Sequence, residues 1–170
     1  MRTSEEGFTL LELLLAMSMM LIVFGTVASA FAVSLRSTDE GTRRVSESQD
    51  GAFTSHYLVK DVQSAQTVTT GAAGACAGAG DLVLTLSWTD PVVTETVTYR
   101  FVPPAAGTAG RLVRHSCGST VDVQSVADDL TSVALDCYDP TTCDDAGRVV
   151  LTLEGQQDAD FAITATRRLP

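Results

Sequence analysis

A chain of 170 residues has room for one domain of ordinary size. Its 11 basic residues stand against 21 acidic ones, a net charge of −10, and no basic stripe is visible, which argues against a nucleic-acid-binding role built on phosphate neutralisation. The acidity reads as solubility, and Lys60 is the only lysine among the basic positions.

The chain opens with a short polar stretch holding Arg2, Glu5 and Glu6, and from Leu13 to Leu35 follow 23 residues without a formal charge. As a helix rising about 1.5 Å per residue, that run covers about 35 Å, enough to cross a hydrocarbon core of about 30 Å with some tilt. A buried helix of a soluble domain would carry a polar stripe; this run is interrupted by hydroxyls only at Ser18, Thr26, Ser29 and Ser34. A removable secretory signal is the main rival, since Ala28-Ser29-Ala30 has the small-x-small pattern of a signal peptidase site. Two features oppose it: Arg2 is outnumbered by Glu5 and Glu6 where a secretory signal is positive, and Glu12 intrudes where its apolar core should begin. An ionisable group entering the bilayer costs a few kcal/mol unless it is partnered. Cleavage after Gly7 would give Phe8 a free ammonium group, four residues before Glu12 on the same helical face.

Gly7-Phe8-Thr9-Leu10-Leu11-Glu12 followed at once by an apolar stretch resembles the processing site of type IV pilins and type II secretion pseudopilins. The resemblance implies that a prepilin peptidase cuts between Gly7 and Phe8 and methylates the new amine of Phe8. It also implies that Glu12 pairs with the N-terminus of a neighbouring subunit during assembly, neutralising both charges inside the membrane. Glu5 and Glu6 stand where the family usually has basic residues. Arg36, Arg43 and Arg44 beyond the span outnumber Arg2 before it, and a positive-inside count would place the C-terminal part in the cytoplasm. The cysteines and the cytoplasmic action of the family's peptidase favour the opposite orientation, with that part exported.

Between Arg36 and Gln66 apolar residues recur at helical intervals: Val45, Ala52 and Val59 on one stripe, Phe53 and Tyr57 four apart, and Leu58, Val62 and Ala65 on another. This predicts an amphipathic continuation of the helix packed on a sheet, with Ser37 and Glu40 as a capping box for a fresh start. Thr67 to Gly80, rich in glycine, alanine and threonine, reads as a connection too small and flexible to pack. Leu82, Leu84, Leu86 and Trp88, then Val93, Val97, Tyr99 and Phe101, alternate around Asp90-Pro91 as a hairpin with one apolar face. Further strands are expected at 111–116, 131–138, 148–154 and 161–167, with a weaker one at 121–126. One long helix followed by an antiparallel meander is an α+β order, and pilins are built this way. Tyr99-Arg100-Phe101, then Gly110-Arg111-Leu112-Val113-Arg114, then Leu130 through Leu135-Asp136-Cys137-Tyr138-Asp139 resemble the J-type minor pseudopilin and its minor-pilin relatives.

The four cysteines, Cys76, Cys117, Cys137 and Cys143, suit two disulfides in an oxidising compartment. Three pairings exist; Cys137 with Cys143 around Pro140, and therefore Cys76 with Cys117, is the favoured one. Zinc fits poorly, because there is no C-x-x-C pair and neither His56 nor His115 has ligand spacing to a cysteine. The two histidines lie in no catalytic motif, and the glycine-rich stretches lack the lysine of a phosphate loop. Asp136, Asp139, Asp144 and Asp145 do not have EF-hand spacing and read as a solvated acidic turn.

The expected organisation is a leader at 1–7, a transmembrane and assembly helix at 8–35, its amphipathic continuation at 36–66 and an exported antiparallel β domain at 67–170. The expected protein is non-enzymatic, needs no cofactor, catalytic residue or metal, and sits in the inner membrane with a single pass before joining a pilus or pseudopilus. Its expected partners are the prepilin peptidase, the cytoplasmic membrane and other minor and major subunits, and the resemblance places it in filament initiation or at the tip. The alternative is an exported ligand-binding domain with a removed signal or a simple anchor.

Overall fold

In the computed structural model, the described residues are 9–71, 74–90, 92–105, 109–138, 143, 147–155 and 160–168. One helix, α1 (Leu10–Ser64), precedes seven strands: β1 (Thr67–Thr69), β2 (Asp81–Asp90), β3 (Val93–Val102), β4 (Gly110–Cys117), β5 (Asp122–Tyr138), β6 (Arg148–Gly155) and β7 (Asp160–Thr166). The strands form one sheet in chain order, each antiparallel to the next. This is the expected α+β architecture. The chain separates into two compact units, Met1–Val45 and Ser46–Pro170, whose boundary falls inside α1.

In the first unit the large apolar residues of α1 from Leu10 to Leu35 are all exposed. Hydroxyls that interrupt the apolar run turn back onto the helix. Ser18 donates to the Leu15 carbonyl, Thr26 to Val23 and Ser29 to Thr26, each at 2.8 Å. A serine or threonine that satisfies itself in this way makes little demand on its solvent and is tolerated in hydrocarbon. The fresh helix start expected at Ser37 does not occur. The helix runs through it unbroken, Thr38 donates to the Ser34 carbonyl, and Glu40 reaches forward to Arg44 instead of back to a cap.

In the second unit the buried stripe of α1 is Thr54, Leu58, Asp61 and Val62, with Ala65 just past its end. These spacings keep one face toward the sheet. Of the expected stripes, the one carrying Leu58, Val62 and Ala65 is the buried one. Ala52 is exposed, Phe53 is 41% exposed, and two polar residues, Thr54 and Asp61, lie among the buried ones. The helix closes with the Ala65 amide donating to the Asp61 carbonyl. Gln66 donates at once to the Ser87 carbonyl, which starts the sheet.

Opposite the helix the strands present Leu84, Leu86, Val97, Tyr99, Leu112, Val126, Leu130, Val149, Leu151, Leu153 and Ile163, an alternating set in one apolar cluster. Full burial of such a side chain contributes about 1.5–3 kcal/mol, so this cluster dominates the fold's stability. Two expected strands, at 121–126 and 131–138, are one 17-residue strand, β5. Its first part pairs with β4 and its second with β6, and the register slips near Leu130 in both ladders. Asp129, at φ 56°, supplies the left-handed residue of this bulge, which is how a single strand changes direction without a loop. The sheet is curled: β2 touches β5, and the Arg167 guanidinium beyond β7 donates to the Gln66 carbonyl before β1 at 2.9 Å.

The glycine-rich connection also departs from expectation, because part of it packs. Residues 74–80 lie on the sheet face away from the helix, where the Cys76 amide donates to the buried Thr98 hydroxyl and Arg100 donates to the carbonyls of Cys76 and Gly80. Gly78 sits against the His115 ring; a Cβ there would fall 2.4 Å from it. Small residues are what allow this segment to lie flat on the sheet. Cys76 is bonded to Cys117 at the end of β4, and Cys137 at the end of β5 to Cys143. Burial and the Arg100 charge push the His115 pKa below its ordinary value.

Candidate membrane and assembly site

The functional face begins at the first turn of α1. Thr9 is the N-cap: its hydroxyl and its carbonyl both accept from the Glu12 amide, at 3.3 and 3.1 Å. Thr9-Leu10-Leu11-Glu12 therefore has the spacing of a capping box, with a carboxylate on the third helical residue, a signal present in the sequence that the reading above left unused. The positive end of the helix dipole favours a carboxylate there by about 0.3–1 kcal/mol. Bringing an ionised carboxylate toward the bilayer interior costs more, a few kcal/mol. The cap places Glu12, and among the described residues no cation pairs with it. Gly7 and Phe8, where cleavage and methylation were expected, lie outside the described residues.

Beyond Glu12 the helix is apolar on every side through Leu35. It is the one helix among the described residues that is long and apolar enough to cross a membrane, and none of the window that meets this test is buried. Soluble monomers rarely expose apolar patches of more than a few hundred Å². This surface requires lipid, other helices or both.

Past the span, charge returns on the same helix with Arg36, Asp39, Glu40, Arg43, Arg44 and Glu47. Arg44 and Glu40 form an exposed pair four residues apart, a geometry that contributes only about 0.3–0.5 kcal/mol.

Further along α1, inside the second unit, a polar lock joins helix to sheet. Arg114 on β4 donates to both carboxylate oxygens of Asp61, Nε to Oδ2 at 2.7 Å and a terminal nitrogen to Oδ1 at 2.9 Å. The buried Tyr99 hydroxyl on β3 donates to Oδ2 at 2.7 Å. The Arg114 guanidinium lies over the Tyr57 ring, 5.2 Å from its centre. Burial raises the Tyr99 pKa well above its ordinary value and the Asp61 charge adds to it, so the phenol stays protonated and donating. Burial opposes the Arg114 charge, but the bonds and charge of Asp61 outweigh it and raise the guanidinium pKa. Two and three turns earlier, Thr54 donates to the Val126 carbonyl at 2.8 Å and Asp50 accepts from the Asp128 amide at 3.1 Å. These two side chains occupy the side of β5 where β6 has not yet begun to pair. The sequence reading missed this polar set, because Asp61 and Arg114 are 53 residues apart and nothing local marks them as partners.

Among the described residues no catalytic constellation accompanies these groups. His56 packs edge-on against Tyr57, whereas His115 lies under Gly78 on the other face of the sheet. Among the described residues no three His, Cys, Asp or Glu side chains are gathered to hold a metal ion. Asp136 is exposed, and Asp139, Asp144 and Asp145, the rest of the acidic turn, lie outside the described residues.

No curated protein and no solved structure matches the chain. Residues 2–28 match the prokaryotic N-terminal methylation motif, a segment that takes in Glu12 and the apolar run as far as Ala28, and this match supports a pilin or pseudopilin that is processed by a prepilin peptidase and assembles with other such subunits.

Proposed function

We propose that this chain is a non-enzymatic structural subunit of a type IV pilus or type II secretion pseudopilus, cut between Gly7 and Phe8 and methylated on Phe8. One observation carries the reading: a motif for N-terminal methylation coincides with a helix whose sole carboxylate between Thr9 and Leu35 is Glu12, capped in place on the first turn of an otherwise apolar surface. Before assembly the helix resides in the inner membrane with a single pass, and the second unit is exported, where Cys76–Cys117 and Cys137–Cys143 are stable to the surroundings. During assembly Glu12 pairs with the ammonium group of a neighbouring subunit's residue 8. Two charges that are separately costly in hydrocarbon become one neutral pair.

The resemblance of 99–101, 110–114 and 130–139 to J-type subunits supports a minor role, in initiating the filament or at its tip. Replacing Glu12→Gln removes the charge with little change of shape. The variant is expected to be processed and membrane-bound but to drop out of sheared filaments; normal incorporation would contradict the assembly role of Glu12. Deleting the chain should lower the number of filaments per cell while leaving the length of those that form unchanged, and shorter filaments in normal number would contradict the initiation role.

A further inference from the structure

The first part of β5 has a neighbour on one side only. From Asp122 to Ala127 its ladder is with β4, and β6 joins on the other side only at Leu130. Main-chain groups along an antiparallel strand point alternately to its two sides. The Val126 carbonyl and the Asp128 amide point away from β4, where Thr54 and Asp50 of α1 bond to them. By the same alternation the amides and carbonyls of Asp122 and Gln124 point to that side as well. The next buried polar side chain of α1, Asp61, turns instead to Tyr99 and Arg114. Asp122 is exposed and Gln124 partly so. An edge of this kind is a template for one more strand.

Beside the edge lies a groove of about 500 Å³, with Ala52, Phe53 and His56 of α1 on one wall and Ser125 and Val126 of β5 on the other. Phe53 is left 41% exposed there. Asp50 lines one end of the groove. Burial raises the Asp50 pKa, and the charges of Asp128 and Asp129 add to this against the opposing bond from the Asp128 amide. At the other end Gln124 is paired with Arg114, whose side chain reaches the helix to hold Asp61. Residues directly opposite in a ladder share a face, so Gln124 is on the helix side, and Asp122, two residues earlier, is there too. Along the edge the helix side therefore runs from a carboxylate at Asp122, past Gln124, to Val126 and Phe53, and then to the carboxylate of Asp50.

We propose that this edge and groove dock an extended segment of a partner protein, which adds as a strand at Asp122 and Gln124 and carries an apolar side chain between two basic ones. The main chain of the segment bonds to the amides and carbonyls of Asp122 and Gln124. Its apolar side chain lies toward Val126 and Phe53, and its basic side chains reach Asp122 at one end and Asp50 at the other. Charge selects this occupant: an acidic segment would bring like charges together at both ends. The site lies wholly within the second unit and does not depend on cleavage or methylation at residue 8.

The probe is a blocked peptide, Thr-Arg-Thr-Val-Thr-Arg-Thr, followed by fluorescence anisotropy as the full-length chain in detergent micelles is added. Saturable binding with a dissociation constant below about 1 mM is expected. In the added strand, the arginines and the valine share the helix side with Gln124, and their amides face the edge. N-methylation of those three amides is therefore expected to weaken binding about tenfold or more, whereas N-methylation of threonine amides, which face away, changes it by less than about twofold. Both methylated peptides keep the same charge, so plain attraction to an acidic protein would not separate them. Replacing Asp50→Asn and Asp122→Asn together should weaken binding of the parent peptide by about fivefold, and Asp50→Asn retains an oxygen to accept from the Asp128 amide. Equal binding of the two methylated peptides would overturn the proposal, and so would the absence of saturable binding by the parent peptide.

Discussion

Asp61 is the residue on which the second unit most depends. A helix that meets a sheet through Leu58 and Val62 alone could slide by a turn at modest cost, whereas a carboxylate held by two arginine nitrogens and a phenol has one position. Replacing Asp61→Ala leaves Arg114 without its anion and Tyr99 without its acceptor. The expected loss is about 3–5 kcal/mol, nearer the lower figure because the Arg114 side chain keeps 13% exposure, and a denaturant melt of the full chain in detergent reads it. Tyr99→Phe removes one bond to the same carboxylate and should cost less, about 1.5–3 kcal/mol. Loss of less than 1 kcal/mol for Asp61→Ala would mean that apolar packing alone places the helix.

His115 makes a second prediction at this scale. Its pKa is lowered in the folded chain by burial and by Arg100, so the unfolded chain takes up a proton first as pH falls below the ordinary histidine value of 6.5. Protonation of the unfolded state alone favours unfolding. Stability is therefore held above that pH and declines as pH falls from there through the lowered folded value. His115→Gln should flatten this part of the stability profile, measured from thermal midpoints between neutral and mildly acid pH.

At the scale of elements, α1 serves two environments, and its sequence changes accordingly. From Leu13 to Leu35 the polar side chains are hydroxyls, three of which bond to their own helix; beyond Leu35 charges appear; from Thr54 onward polar groups face a sheet. Ser18→Ala and Ser29→Ala should accordingly be neutral for membrane insertion. Val23→Arg in the middle of the run should cost about 2.5–3.5 kcal/mol and lower the inserted fraction in a glycosylation-tag or reporter assay. Unchanged insertion of Val23→Arg would show that this segment does not meet hydrocarbon.

The apolar run and the alternating strands were legible in the sequence because each depends on a period within one element. The expected hairpin at Leu82–Phe101 appears in the ladder that pairs Leu84 with Tyr99 and Leu86 with Val97. What was not legible depends on two elements at once. β5 reads as two strands because its bulge at Asp129 breaks the alternation, yet the neighbouring ladders carry the chain through it. The segment before β2 reads as flexible because glycine and alanine cannot fill a core, yet their smallness is what lets them lie on Thr98 and His115. Asp61 looks like a solvent residue until Arg114 is known to face it. At the candidate site the reverse held for Thr9 and Glu12, whose capping spacing was in plain view and local.

On the scale of the whole molecule, the second unit is a helix-and-sheet domain tied by disulfides at two places. Cys76–Cys117 holds the glycine-rich segment to the end of β4, and closure of a loop of 41 residues restricts the unfolded chain considerably. Removing that bond with Cys76→Ser and Cys117→Ser together is expected to cost about 2–5 kcal/mol and to lower the amount of chain recovered from the membrane. Equal thermal midpoints with and without the bond would show that Arg100 and Thr98 hold the segment unaided.

The account depends on Glu12 meeting an amine that the uncut chain does not possess. The most direct measurement is the mass of the N-terminal peptide of the mature chain isolated from its own host. The expected result is a peptide that begins at Phe8 and carries one added methyl group on its amine. A peptide that begins at Phe31, the residue after Ala28-Ser29-Ala30, would mean that a secretory signal had been removed along with Glu12, and would contradict the account.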